Sequence, residues 1–131
     1  MKEEFKPWIL NPKYLISNLG RVYSKKRNKF LKPYPRQGYP TFGINVDGVT
    51  KNIMVHRAVA LLFLDFPCPN FLRKEIWEQF NNGEKFRFYH EHGIVDHKDR
   101  NRENANLENL RWTTASENAK NTDIYESYNN V

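Results

Sequence analysis

The sequence predicts an α+β fold: a small antiparallel β module and a hairpin, a linking helix, and then a strand, a long polar loop, a second strand and a helix. Three observations predict it. Two alternating runs, Phe42, Ile44 and Val46 and then Val49, Lys51, Ile53 and Val55, flank Asp47-Gly48, a strong short-range hairpin signal. A continuously apolar stretch from His56 to Leu64 comes next, read as a buried helix packed on that hairpin. Thr114-Ala115-Ser116-Glu117 has the Thr-x-x-Glu form of a capping box, so a helix starts there and carries Asn118 on its first turns. The organisation expected is a basic β-rich module over 1–55 and the linking helix, an insertion and the core over 56–131.

In chain order, Trp8 to Ser24 reads as a short strand, an Asn18/Gly20 turn and another short strand, followed by the basic run Lys25-Lys26-Arg27-Asn28-Lys29. Pro33, Pro35 and Pro40 are expected to interrupt the chain beyond that run, and Pro67 and Pro69 to end the helix after the hairpin. Phe71, Leu72, Ile76, Trp77 and Phe80 recur at roughly helical spacing, and that helix should stop at Asn81-Asn82-Gly83. His90-Glu91-His92 is read as a strand or, better, an exposed loop; a metal site there would need more ligands. Strand-like Gly93-Ile94-Val95-Asp96-His97, a polar stretch from Lys98 to Asn109 and strand-like Leu110-Arg111-Trp112-Thr113 complete the outline.

Composition bounds the function. With 131 residues, 39% hydrophobic and 15% aromatic, the chain can bury a modest core despite a mean hydropathy of -0.83. No apolar run approaches the roughly 20 residues of a membrane-spanning helix, and Met1 to Pro7 has no secretory h-region, so a cytoplasmic location is expected. The single cysteine, Cys68, excludes an internal disulfide framework and a zinc site built from several thiolates. The net charge of +6 is unevenly spread: residues 1–60 carry twelve Lys/Arg against three acids, +9, and the remainder carries −3. A cationic half suits a phosphate-backbone binder, and it equally suits a solvated surface.

Asp96 and His97 end one predicted strand and Asn118 lies on the predicted helix, so the three can converge. Phosphodiester hydrolysis needs a base for water and a cation for the developing charge. A histidine suits the first task, and a carboxylate with an amide oxygen suits Mg²⁺. An Asp-His pair at a strand end is also common, and Asn-rich loops are often turn chemistry alone.

The run from Val95 to Asn118, with Asp96-His97, Asn109-Leu110-Arg111-Trp112-Thr113 and Glu117-Asn118 followed by Asn121, closely resembles the HNH motif of phage and intron-encoded homing endonucleases. Trp8 to Ser24 resembles the small DNA-binding module found before such cores, and Val55 to Leu64 is similar to the helix that links the two. The resemblance implies a ββα-metal core, with His97 as general base, Asp96 and Asn118 as ligands of one divalent ion, Mg²⁺ or alternatively Mn²⁺ or another, and Asn109 as a brace that aims His97. It implies a double-stranded DNA partner, gripped by Arg21, Lys25, Lys26, Arg27, Lys29 and Arg36 and, near the core, by Arg100, Arg102 and Arg111. One site in a monomer implies nicking of one strand in a phage-infected host; a dimer could break both. The stretch from Pro67 to His92 is longer than the family pattern leads one to expect. The competing readings are a non-catalytic DNA-binding or regulatory protein that keeps the fold, and an RNA-binding module.

Overall fold

Tight turns and short alternating segments build the N-terminal half. The computed structural model describes residues 1–113. Strands β1 (Phe5–Trp8), β2 (Asn11–Ser17), β3 (Val22–Ser24) and β4 (Lys29–Phe30) form an antiparallel sheet in that order. Trp8, Ile16 and Val22 are buried from it. The β2–β3 turn needs its glycine: Gly20 has φ +89, and a Cβ there would lie 3.2 Å from the Ala105 side chain.

Strands β5 (Tyr34–Arg36), β6 (Tyr39–Val46) and β7 (Val49–Met54) form a second antiparallel sheet. The β6–β7 hairpin turns at Asp47-Gly48 as expected, with φ +52 and +82. Pro33 lies in the break between β4 and β5 as expected, but Pro35 and Pro40 do not interrupt the chain. Pro35 lies directly opposite Pro40 on the edge strand, so the two missing donors fall on a single rung and the ladder continues. Gln37 and Gly38, both left-handed, close this additional hairpin.

Helix α1 (Val55–Phe63) starts one residue before the apolar stretch suggests, buries Val55, Ala58, Val59 and Leu61, and packs on β6 and β7. Its C-terminal end is covered by β1: the Lys6 ammonium donates to the Leu62 carbonyl at 2.9 Å and sits 4.7 Å from the Phe63 ring.

Contacts divide the chain into two compact units, Met1–Leu64 with His97–Arg111, and Asp65–Asp96 with, among the described residues, Trp112 and Thr113. The second unit holds α2 (Lys74–Trp77) and α3 (Asn82–His92). Where the spacing predicts a helix end at Asn81-Asn82-Gly83, a helix begins. The Asn81 side chain accepts from the Glu84 amide at 2.8 Å, and Glu84 accepts from the Asn81 amide at 3.0 Å, a reciprocal box that starts a helix. His90-Glu91-His92 is therefore the last turn of α3 rather than a strand or loop. Phe66, Trp77, Tyr89 and Trp112 form the unit's aromatic core, with Tyr89 to Phe66 at 5.3 Å and to Trp112 at 4.8 Å between ring centroids. Gly93 is forced, since a Cβ there would lie 2.6 Å from the Tyr89 carbonyl and 2.8 Å from the Trp112 ring.

The strand–loop–strand segment matches the expected outline. Strand β8 (Ile94–His97), a 3₁₀ turn at Leu107–Asn109 and strand β9 (Leu110–Thr113) appear in order, and β8 and β9 share a two-stranded sheet. The division between the units passes through both strands. The helix expected from Thr114, with Asn118 and Asn121, lies outside the described residues. Among the described residues no helix is long and apolar enough to cross a membrane.

Candidate active site

Alternation along β8 sets the first geometry. Val95 and His97 are buried, while Asp96 between them is half-buried and faces the other way. The loop beyond His97 is held by its own amides. The Asp99 amide donates to Asn109 Oδ1 at 2.9 Å, and the Lys98 amide to the Asn109 carbonyl at 2.8 Å. The Asp99 carboxylate accepts from the Asn101 amide at 2.8 Å, Asn109 Nδ2 at 2.9 Å and Asn104 Nδ2 at 2.9 Å. These bonds, led by that from Asn104, hold the Asp99 carboxyl below the usual carboxylate range. Asn109 Nδ2 also reaches the Asn104 carbonyl at 3.0 Å, so one buried amide ties both ends of the loop together. The Arg100 amide donates to the His97 carbonyl at 2.9 Å and closes the turn directly after His97.

Three rings meet at His97. Tyr39, at the start of β6, and His56, in the first turn of α1, lie 5.7 and 4.8 Å from the His97 ring, and 4.7 Å from each other. Burial, then the neighbouring His97 and Arg57, push His56 down to about 3. It is therefore a neutral imidazole at physiological pH. Arg102 reaches back from the loop: its guanidinium lies 5.2 Å from the Tyr39 ring, and Nη1 donates to the Gln37 carbonyl at 3.1 Å.

Of the two ligands the resemblance implies for a divalent ion, Asp96 lies among the described residues and Asn118 outside them. Among the described residues no group of three or more His, Cys, Asp or Glu side chains could hold a metal. That donor set fits a hard, oxygen-seeking cation that keeps most of its shell as water and substrate phosphate; it does not fit a protein-only cage.

The predicted basic residues take several settings. Lys25, Lys26, Arg27 and Lys29 are exposed around the β3–β4 turn, and Arg36 is exposed on β5. Lys26 and Arg27, joined by Lys13, line a polar cleft of about 490 Å³ with Asn11, Asn45 and Thr50. Arg21 is instead engaged inside the module: it forms an ion pair with Glu3 and stacks 4.1 Å from the Phe30 ring. Arg100, in the left-handed region at φ +64, and Arg111 on β9 are exposed, while Arg102 is committed to Tyr39 and Gln37. The sequence reading singled out none of Asp99, Asn104 and Lys13 as site residues. Only the spacing of Asp99 two residues after His97 offered a signal.

Residues 88–120 match the family model described as HNH endonuclease. An uncharacterized HNH endonuclease of Acanthamoeba polyphaga mimivirus is 35% identical over 109 residues, covering 82% of this chain and 26% of that protein. DNA endonuclease I-HmuI of Bacillus phage SP01 is 37% identical, covering 82% of this chain and 50% of that one. The H-N-H endonuclease F-TflII of Escherichia phage T5 is 37% identical, covering 82% and 46%. The solved structure of DNA binding and cleavage by the HNH homing endonuclease I-HmuI superposes with a TM-score of 0.66 at 31% identity, over 94% of this chain and 59% of that one. The chain thus spans half the length or less of these curated relatives.

Proposed function

We propose that this chain, whose residues 88–120 match the HNH endonuclease model and which is 37% identical to two phage HNH endonucleases, is a nuclease of that family that hydrolyses phosphodiester bonds of duplex DNA with a divalent ion, Mg²⁺ by preference, and nicks one strand per encounter. The observation that carries this reading is the buried His97 at the foot of a loop locked by Asn109, Asp99 and Asn104. A general base must be aimed, and a loop closed by directional amide bonds aims the residue at its base.

In this reading a water oxygen attacks phosphorus, its proton passes to the His97 imidazole, and the 3′-oxygen departs. His56, held neutral beside it, adds no competing positive charge. Asp96 and Asn118 would hold the divalent ion, which when bound would supply neutralisation of the negative charge developing in the reaction. Asn109 acts through the loop and touches no substrate. The β3–β4 turn and the cleft with Lys13, Lys26 and Arg27 bind phosphates flanking the scissile one, so affinity depends on salt. Cytoplasmic action in an infected host accords with this role.

The test is relaxation of supercoiled plasmid by the wild type and by His97→Ala, each with Mg²⁺ and with EDTA. Metal-dependent nicking by the wild type should fall about 10²- to 10⁴-fold in His97→Ala, with gel-shift affinity for duplex DNA kept. Binding without cleavage under Mg²⁺ or Mn²⁺ would leave the non-catalytic DNA-binding reading in its place.

A further inference from the structure

We infer that His56 and Tyr39 are positioning residues for His97, forming with it a closed triangle of rings that holds the imidazole in one orientation; this inference rests on the nuclease reading above. The three centroid separations, 4.7, 4.8 and 5.7 Å, mean that each ring touches both others. A ring held by one neighbour can pivot about that contact. A ring held by two, themselves in contact, loses a contact whichever way it turns.

The triangle draws on three separate elements. Tyr39 opens β6, His56 lies in the first turn of α1, and His97 closes β8. His56 and His97 are 5% and 6% exposed, so solvent does not share these contacts. Tyr39, the more exposed corner, is fixed from outside by the catalytic loop itself. Arg102 lies 5.2 Å from its ring and donates to the carbonyl of Gln37, two residues before it. Arg102 packs against the Gln37-Gly38 turn, where a Cβ on Gly38 would lie 3.4 Å from Arg102 Cδ, an ordinary contact distance. The loop after His97 therefore returns to the ring that packs against His97.

His56 Nδ1 is buried with no hydrogen-bond partner among the described residues. The atom has a desolvation cost that a phenyl ring would avoid, and no bond from it defines the position of His56. The contacts of its ring with Tyr39 and His97 are what tie His56 to the base. A phenyl ring should then replace it, and a methyl group should not.

The test measures single-turnover nicking rate and DNA affinity separately for wild type, His56→Ala, His56→Phe, Tyr39→Ala and Tyr39→Phe, with Mg²⁺. The alanine variants should lose about tenfold to 10²-fold in rate, the size of a misaimed catalytic group, with Kd for duplex DNA unchanged. Each phenylalanine variant should recover most of that loss. A rate unchanged in His56→Ala and Tyr39→Ala, an affinity that falls in step with the rate, or a His56→Phe no better than His56→Ala would each overturn the inference. If His56→Ala fails to melt cooperatively, the half-exposed Tyr39 decides through its own pair of variants. A wild type that binds but never nicks removes the nuclease reading, which is a different result from a nicking wild type with insensitive variants.

Discussion

The loop that follows His97 is held by amides and carboxylates: Asn109, Asn104 and Asp99 bond one another and the loop backbone. Around Tyr89 the chain is held by rings, with Phe66, Trp77 and Trp112 packed on it, and by polar links that include the Trp77 indole to the Phe66 carbonyl at 3.1 Å and the Tyr89 hydroxyl to the Pro67 carbonyl. Hydrogen bonds have direction and burial has area. The polar brace is suited to aiming a group, and the aromatic cluster to holding a short segment folded. Changes near His97 should move rate more than stability, and changes near Tyr89 the reverse.

The largest effect should break the aromatic side. Trp77 is 4% exposed and touches the Phe80, Phe88 and Tyr89 rings. Trp77→Ala should cost about 3–5 kcal/mol, read as faster amide exchange across α3. Exchange in β6 and β7, which belong to the other unit, should stay slow. Equal acceleration in both would show that the contrast between the units has no energetic counterpart.

Acid sharpens the comparison from the other side, because the His97 neighbourhood contains a titrating group that resists its proton. His56 has a folded value of about 3 against an ordinary 6.5. Below pH 6.5 the unfolded chain takes up a proton that the folded chain refuses. Stability should therefore fall as the pH drops from 6.5 towards 3, by up to ~1.4 kcal/mol per pH unit. His56→Phe removes that group, so its stability advantage over the wild type should widen steadily below pH 6.5 in denaturant titrations. Asp99 acts in the same direction lower down: its depressed carboxyl stabilises above the ordinary carboxylate range, and that contribution is lost as the pH falls through its folded value.

Asn109→Ala comes next. It removes the acceptor of the Asp99 amide and one donor to the Asp99 carboxylate, and with them the amide that ties the two ends of the loop together. The nicking rate should fall while DNA affinity stays constant. A full rate in this variant would separate the brace from the chemistry.

These contrasts also explain what the sequence could convey. The β6–β7 hairpin was legible because Asp-Gly is a residue pair that tolerates two positive φ values, whereas Gln37-Gly38 makes a similar turn with a residue seldom chosen for it. Asn81-Asn82-Gly83 reads equally as an end or a start, and only the reach of the Glu84 side chain back to Asn81 decides. Asp96 and His97 stood out through their chemistry. Asp99 and Asn104 are indistinguishable by type from ordinary turn residues. The Tyr39–His56–His97 triangle joins residues 17 to 58 positions apart, and no local pattern encodes such a meeting.

The smallest effect concerns the cationic surface, where single charges exert little influence individually. Lys13 and Lys26 line the same cleft beside Arg27, although only Lys26 stands in the obvious basic run. Each lysine that meets a phosphate releases about one counterion, a slope of roughly 0.9 in log affinity against log salt. Lys13→Gln and Lys26→Gln should each flatten the slope by that amount and weaken binding modestly at low salt, with the nicking rate of bound DNA unaffected. The double variant should flatten it by the sum, since a charge on β2 and one in the β3–β4 turn act on separate phosphates. If Lys26→Gln flattens the slope and Lys13→Gln does not, the DNA tracks the β3–β4 turn and bypasses the cleft, and the grip of the first unit reduces to its exposed basic loop.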